Sequence, residues 1–263
     1  MILSLVISIS ISVVLVVWLN RCKKRSTGPF GKHTLAKLLV FGGLSGVISA
    51  TISLVLGCVK LIVALGPQNI FNLMNDFDVE KAQQLANLLR EHTGDWTFPS
   101  AFLGTFLLVG LVEEGCRFIG VRLMSRRRSE FSTVLDMVIC GGLFGCGFQI
   151  YEDISYSLGS GLIVALARAL TPFHYLFGAI MGYFIGRALV TGKKSYYAWA
   201  LMAPALIHTL FDTSINALEH EDDFIILAAI LAVLLIALVI ASIVKITKAS
   251  KDQSLSQRIP ERP

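Results

Sequence analysis

The chain has 263 residues, of which 54% are hydrophobic and only 16% are charged, and its mean hydropathy is +0.70. Soluble domains carry about 25% charged residues, so this composition excludes an ordinary soluble enzyme. The net charge of +5 does not indicate nucleic-acid binding, because the basic residues stand at the ends of apolar runs. The composition therefore indicates a helical protein that crosses a membrane several times.

The apolar runs predict an all-α fold, a polytopic bundle of about seven transmembrane helices. The runs lie at residues 2–19, 36–62, 100–123, 134–157, 162–190, 196–217 and 224–244. They predict a single transmembrane domain at 1–244, a motif-bearing core at 100–217, and a disordered cytoplasmic tail at 245–263. Apolar residues at helical spacing also predict an amphipathic helix in an outer loop at 66–98. That helix lies on the membrane surface or, alternatively, covers a substrate entrance.

The distribution of lysine and arginine predicts the orientation of the chain. Basic residues follow the first, third, fifth and seventh runs, for example Arg21, Arg122, Arg187 and Lys245. The remaining loops are poor in basic residues, and the loop at 219–223 is acidic. Because cytoplasmic loops carry the positive charge, we expect the N-terminus outside and the C-terminus in the cytoplasm.

The third run contains three ionisable residues at membrane depth, Glu113, Glu114 and Arg117. One charged side chain at the centre of a membrane helix costs about 2.5–3.5 kcal/mol on insertion scales. The three groups must therefore face the protein interior or a watery cavity, and ionisable groups in such positions are candidates for function. The structural alternative is a buried ion cluster that fixes helix packing.

Three later runs add ionisable residues that could share this cavity. These residues are Glu152, Asp153, Arg168, His174, His208 and Asp212. His208 and Asp212 are four residues apart, which places them on one helix face. Pro172 predicts a kink or a helix start two residues before His174. The structural alternatives are a hydrogen-bonded core histidine, a structural histidine–aspartate pair and an interfacial pair of Asp153 with Arg168.

Two histidines and several carboxylates on separate runs indicate a hydrolytic site. A carboxylate in an apolar site can act as a general base, a histidine can share its proton, and a second acid or imidazole can donate to an oxyanion. The same groups could instead hold a divalent metal, with His174, His208, Asp212 and Glu152 as the ligand set. The residues alone leave both routes open. Helix rise places Glu152 nearer the outer surface than the other groups.

Glycines at a spacing of four occur in the fourth and fifth runs. They are Gly141 and Gly145 in the fourth run and Gly178, Gly182 and Gly186 in the fifth. Small residues at this spacing let helix backbones approach closely in a membrane. The pattern therefore predicts that both runs pack tightly against neighbouring helices.

Four short motifs follow one another along the polar runs. Glu113–Arg117 has the sequence EEGCR, Phe148–Glu152 has FQIYE, His174–Gly182 begins with His and ends with Gly, and His208–Asp212 has HTLFD. In this order they resemble the EExxK, FxxxE, HxxxxxxxG and HxxxD motifs of the PrsW family of intramembrane proteases, relatives of the CAAX-processing and bacteriocin-immunity membrane proteases. The resemblance covers residues 100–215. Arg117 stands where the family usually has Lys, and Val112 where many members have a further Glu.

The resemblance implies an intramembrane endopeptidase that cleaves a membrane-anchored protein at or near the bilayer, with water activated by glutamate and histidine. The catalytic residues it implies are Glu113, Glu114, Glu152, His174, His208 and Asp212, with Arg117 balancing charge. Glu113 is expected to be the base, Glu114 its support and His174 the proton partner. His208 and Asp212 are expected to orient water or stabilise the oxyanion, and Glu152 to complete the network.

No cofactor is expected on this route, although zinc or another divalent metal fits the alternative of a metal-dependent membrane hydrolase. A non-enzymatic scaffold or transporter is a further alternative, disfavoured because the chain lacks the repeated halves typical of transporters. The expected partners are a membrane-anchored protein substrate and the lipid bilayer, not nucleic acid. The expected location is the plasma membrane of a bacterium or archaeon, as a multi-pass protein.

Overall fold

The computed structural model describes residues 2–31, 33–68, 97–126, 130–159, 162–218, 224–252, 254 and 256–260. The helices are α1 Ile2–Ser26, α2 Thr34–Leu65, α3 Phe98–Thr105, α4 Leu111–Met124, α5 Val134–Gly159, α6 Leu162–Leu170, α7 Phe173–Thr191, α8 Ser195–Ala217 and α9 Phe224–Lys251. A π-helix, Phe106–Gly110, joins α3 to α4. Within these residues the regular elements are helical, which confirms the all-α prediction. The predicted amphipathic helix of the loop at 66–98 falls within residues 69–96, which lie outside the described part of the chain.

Five helical stretches in the described residues are long and apolar enough to cross a membrane. They are Ile2–Ser26, Thr34–Val63, Val134–Ser157, Leu162–Thr191 and Phe224–Lys251. The other two predicted spans, 100–123 and 196–217, are also helical, but they hold the polar residues of the first and last motifs. The number of spans, the single transmembrane domain and the orientation of the chain stay predictions.

Local chemistry explains where several helices begin and end. Thr97 caps α3, because its side-chain oxygen accepts a hydrogen bond from the backbone N–H of Ser100 at 3.4 Å. The predicted break at Pro172 separates α6 from α7, since proline has no backbone N–H to donate a hydrogen bond within a continuous helix. Gly192 ends α7 in the left-handed conformation, with φ 72°, that glycine adopts without strain.

The predicted close packing of the glycine-rich runs is observed between α5 and α7, the most extensive helix pair. A Cβ atom at Gly141 would overlap the carbonyl oxygen of Gly178, and a Cβ atom at Gly145 would overlap that of His174. The two backbones are therefore in direct contact, without intervening side chains. This contact fixes the height of His174 relative to α5.

The helices α1, α2 and α9 pack around this pair and expose apolar side chains on their outer faces. Examples are Val13, Val17, Val40, Leu44, Ile226 and Val233. Side chains of this kind cover the outside of a bundle whose solvent is lipid. The buried acids and histidines of the described residues lie on α4, α5, α7 and α8, so the bundle has the polarity expected of a membrane protein.

The C-terminal segment differs from its predicted disorder. α9 continues through Lys251, and residues 256–260 return to the start of α5. There the backbone N–H of Val134 donates to the carbonyl oxygen of Gln257 at 2.9 Å, and that of Leu135 donates to a serine hydroxyl at 3.1 Å.

The prediction that residues 245–263 form a disordered tail is therefore wrong for the part that the structure describes. The first amide groups of a helix have no partner within the helix. The tail supplies acceptors to the first turn of α5, and its polar composition gives no indication of this pairing.

Candidate active site

Four helices bring the predicted site residues together inside the bundle. α4 contributes Glu113, Glu114 and Arg117, α5 contributes Glu152, α7 contributes His174, and α8 contributes His208 and Asp212. The rings of His174 and His208 are 5.1 Å apart between centroids. Residues separated by about a hundred positions in the sequence thus occupy one site, as the motif spacing predicted.

Glu114, Arg117 and His208 form the first part of the site, here called the Glu114 cluster. Arg117 Nη1 donates to both carboxylate oxygens of Glu114 at 2.5 Å, and both side chains are 0% exposed. His208 Nδ1 donates to Glu114 Oε1 at 3.0 Å. The charge of Glu114 is thereby matched by a cation on the same helix. The charge-balancing role of Arg117 stays a prediction.

Glu152, Asp153 and Arg168 form the second part, here called the Glu152 cluster. Arg168 Nη2 donates to Glu152 Oε2 at 2.9 Å, and Arg168 Nε donates to Asp153 Oδ1 at 2.7 Å. The side chains of Arg168 and Glu152 are 19% and 16% exposed. The pairing of Asp153 with Arg168 agrees with the structural alternative considered for these two residues.

His174 connects the two clusters through its two ring nitrogens. Nδ1 lies 2.8 Å from Arg117 Nη2, and Nε2 lies 2.6 Å from Glu152 Oε2. The expectation that Glu152 lies nearer the outer surface than this histidine is wrong. His174 occupies the first turn of α7 and Glu152 the last third of the antiparallel α5, so the two residues meet at the same height.

Glu113 lies between the clusters and is the least satisfied acid of the site. Its Oε2 atom is buried and has no hydrogen-bond partner. That atom is 3.9 Å from His208 Nε2, which is also 3.2 Å from Asp212 Oδ2. A buried oxygen without a partner is costly, so Glu113 has an unused acceptor that faces the histidine side of the site.

The residues present fit a divalent metal. The ligand atoms of Glu113, His174 and His208 all lie within 4.8 Å of one another. Imidazole nitrogen and carboxylate oxygen are the ligands of catalytic zinc sites, and the unpartnered oxygen of Glu113 is the kind of atom that a cation would satisfy. The ligand set predicted from the sequence lacked Glu113 and contained Asp212 and Glu152, which here contact one histidine each.

Two residues of the second motif have contacts that the sequence did not reveal. The Phe148 ring lies 4.2 Å from the Arg117 guanidinium carbon and 4.8 Å from the His174 ring. Gln149 accepts a hydrogen bond from the backbone N–H of His174 at 3.3 Å and donates to Asp153 at 2.9 Å. The spacing of four between Gln149 and Asp153 was the one available indication of their contact.

The π-helix before α4 sets the position of the two adjacent glutamates. A Cβ atom at Gly110 would overlap Thr209 Oγ1, so the end of the π-helix and α8 meet closely one residue after His208. Ser53 of α2 donates to the carbonyl oxygen of Leu108 within the π-helix at 2.6 Å. Short π-helical insertions occur often at functional sites, and this one ends three residues before Glu113.

Comparison with known proteins agrees with the motif resemblance. A family model described as PrsW family intramembrane metalloprotease matches residues 31–243. Proteins named Protease PrsW from Halalkalibacterium halodurans, Bacillus subtilis and Geobacillus kaustophilus are 34%, 30% and 34% identical over 119, 125 and 118 residues. These alignments include 44%, 46% and 43% of this chain and 55%, 57% and 52% of the relatives. The chain thus spans about half the length of the curated relatives it matches, and no solved structure matches it significantly.

Proposed function

Because the chain belongs to the PrsW family of intramembrane metalloproteases, we propose that it is an intramembrane endopeptidase that hydrolyses a peptide bond of a membrane-anchored protein. The observation that supports this most is the convergence of Glu113, His174 and His208 from three helices inside the bundle. A charged site of this kind is expensive to keep within a membrane protein without a function.

In the proposed reaction, Glu113 is the general base that takes a proton from the attacking water. Its Oε2 has no hydrogen-bond partner, so it is free to accept one. Glu114 is its support, because it holds the ring of His208 through Nδ1 and is itself neutralised by Arg117. This arrangement keeps His208 Nε2 directed toward Glu113, at 3.9 Å.

The remaining residues hold the two imidazole rings. Glu152 contacts Nε2 of His174, and Asp212 contacts Nε2 of His208. His174 is the proton partner of the reaction, and His208 with Asp212 orients the water or stabilises the oxyanion. Glu152 completes the network through its ion pair with Arg168.

We further propose zinc as the metal, with Glu113, His174 and His208 as candidate ligands. A bound zinc ion supplies a Lewis acid that activates water and polarises a carbonyl oxygen. The carboxylate of Glu114 would then have the usual task of an outer carboxylate, which is to accept the second ring N–H of a histidine ligand. On this metal route Glu113 is a ligand, whereas in the metal-free alternative it is the general base described above.

The proposed substrate is a membrane-anchored protein, and the proposed location is the plasma membrane of a bacterium or archaeon. The relatives are bacterial proteins, and the described residues contain helices able to cross a membrane. The basic residues after alternate spans support a C-terminus in the cytoplasm.

The test is cleavage of tagged single-span membrane proteins by the purified protein in lipid nanodiscs. We expect Glu113→Gln to reduce the cleavage rate about 100-fold or more, since general bases contribute about 100- to 10,000-fold. Asp252→Asn is the matched control, because Asp252 is exposed after the end of α9. Equal cleavage by the wild type and Glu113→Gln would remove Glu113 from the mechanism.

Treatment with a chelator distinguishes the metal-dependent mechanism from the metal-free one. Loss of cleavage on treatment with a chelator, with recovery on addition of zinc, is expected for the metal-dependent route. Full activity in the presence of a chelator would favour Glu113 acting without a metal.

A further inference from the structure

Arg117 makes contacts that exceed what charge balance requires. Its Nη1 atom serves Glu114, while Nη2 reaches across to Nδ1 of His174 at 2.8 Å. The guanidinium lies over the Phe148 ring, with 4.2 Å between Cζ and the centroid, and the side chain is 0% exposed. The two nitrogens of one rigid planar group therefore hold residues of two different helices.

These contacts determine which nitrogen of His174 carries the hydrogen. An arginine guanidinium has N–H donors and no acceptor. His174 Nδ1, at 2.8 Å from such a donor, must accept, so it carries no hydrogen. The hydrogen of the neutral ring is then on Nε2, which faces Glu152 Oε2 at 2.6 Å.

The partner at Nε2 agrees with this tautomer. Glu152 also accepts from Arg168 at 2.9 Å, so its carboxylate is charged and acts as an acceptor. A ring with its hydrogen on Nδ1 would place two donors against each other at Arg117 and two acceptors against each other at Glu152. Both contacts of His174 thus select the same tautomer.

We propose that Arg117 is a positioning residue that fixes His174 as the Nε2–H tautomer, which makes His174 a hydrogen-bond donor and not a metal ligand. Both ring nitrogens are engaged, Nδ1 by the guanidinium and Nε2 by its own hydrogen, so neither offers a lone pair to a cation. This tautomer removes His174 from the three candidate zinc ligands of the proposed function, so it favours the route in which Glu113 activates water without a metal.

The catalytic consequence rests on the proposed function. When the scissile carbonyl develops negative charge, the Nε2–H of His174 can turn its hydrogen bond from Glu152 to that oxygen. Glu152 does not lose all its partners by this exchange, because Arg168 continues to neutralise it. His174 is thus a second donor to the oxyanion beside His208, a task that a fixed Nε2–H can perform and a metal ligand cannot.

Arginine suits this task better than the lysine usual in the family motif. A guanidinium presents several donors in a rigid fork, whereas an ammonium is a single point charge. One lysine nitrogen would have to serve both Glu114 and His174, which here use separate nitrogens of Arg117. We therefore expect Arg117→Lys to hold the tautomer less firmly than the wild type does.

The test is nitrogen NMR of isotope-labelled histidine in the full chain in nanodiscs, with the His174 resonances assigned by their loss in His174→Gln. We expect Nδ1 of His174 to resonate as an unprotonated nitrogen and Nε2 as a protonated one, with or without added zinc. A hydrogen on Nδ1, hydrogens on both nitrogens, or a zinc-dependent shift of Nε2 to a ligated position would overturn the proposal. This result is obtained on the wild type and needs no activity, so it is independent of whether the protein is a protease.

Variants extend the test. Arg117→Met is expected to abolish the single tautomer of His174. Arg122→Met removes another arginine of α4, which lies over the Tyr197 ring of α8, and is expected to preserve the tautomer. In the cleavage assay, Arg117→Met should lower kcat about 10- to 100-fold with little change in KM, as the loss of an outer partner does. An unchanged His174 tautomer in a folded Arg117→Met protein would overturn the positioning role.

Discussion

The Glu114 cluster and the Glu152 cluster use the same components in different surroundings. Each joins a glutamate to an arginine and to a histidine ring. The ion pair of Glu114 with Arg117 lies within one helix and is 0% exposed, whereas the pair of Glu152 with Arg168 joins two helices and is 16–19% exposed. Charge neutralisation within a helix is therefore found where the pair is fully enclosed by protein, and neutralisation between helices where the pair is partly exposed.

The difference in burial predicts a difference in energy. Removal of one partner from a buried ion pair costs about 3–5 kcal/mol, because the other charge stays behind without compensation. Partial exposure lets water replace the lost partner, and exposed pairs contribute about 0.2–1 kcal/mol. The Glu114 cluster should therefore be the more sensitive of the two to substitution.

The largest expected effect is that of Glu114→Gln. This change leaves the Arg117 guanidinium buried with a neutral amide, and we expect a loss of about 3–5 kcal/mol in the free energy of unfolding. The double variant Glu114→Gln with Arg117→Met removes both charges and should regain a large part of that loss. Denaturant titration in micelles, followed by tryptophan fluorescence, measures both. A loss below about 1 kcal/mol in the single variant, the range of an exposed pair, would show that water reaches this cluster.

The second largest effect is expected at the backbone contact between Gly145 of α5 and His174 of α7. In Gly145→Ala the new methyl group meets the carbonyl oxygen of His174, so α7 must move away from α5. Overpacking of this kind costs about 1–3 kcal/mol. Since His174 touches both clusters, cleavage should fall as well. Gly104→Ala is the matched control, because an added Cβ atom there meets nothing within 4 Å. Equal behaviour of the two variants would contradict the tight contact.

Much of the fold could be predicted because the features that specify membrane helices lie close together in the sequence. Apolar runs, Pro172 and the glycine spacing each act within one helix or on its nearest neighbour. The pairing of residues 256–260 with the start of α5 could not be predicted in this way. It depends on two distant segments whose unpaired amide and carbonyl groups happen to meet.

The candidate site shows the same difference between contacts within one helix, which could be predicted, and contacts between helices, which could not. The pair of Glu114 with Arg117 follows from a spacing of three on one helix, which the sequence shows directly. The contact of Arg117 with His174 depends on which nitrogen of a long side chain reaches a neighbouring helix, and no spacing rule gives that. The grouping of Glu113 with the two histidines, in place of Glu152 and Asp212, has the same origin.

A smaller effect is expected for Arg168→Met in the Glu152 cluster. The variant removes hydrogen bonds to Glu152 and Asp153, and such bonds to charged groups contribute about 1.5–3 kcal/mol when buried. Arg168 and Glu152 are partly exposed, and the buried Asp153 keeps its hydrogen bond from Gln149, so we expect a loss of about 1.5–2 kcal/mol in unfolding free energy, at the lower end of that range. The same denaturant titration measures it. A loss as large as that of Glu114→Gln would mean that the two clusters do not differ in hydration.

Asp212 gives the smallest expected change in stability and separates stability from function. Its side chain is 31% exposed and lies 3.2 Å from His208 Nε2, so Asp212→Asn should alter the unfolding free energy by about 0.5 kcal/mol or less. Cleavage should nevertheless fall about 10- to 100-fold, because the carboxylate orients the ring that faces Glu113. Asp212→Ala is the matched comparison: it removes the acceptor that asparagine keeps, so it should lose more activity at similar stability. If both variants retained full cleavage, His208 would be held by Glu114 alone, and the functional part of the site would be confined to the fully buried cluster.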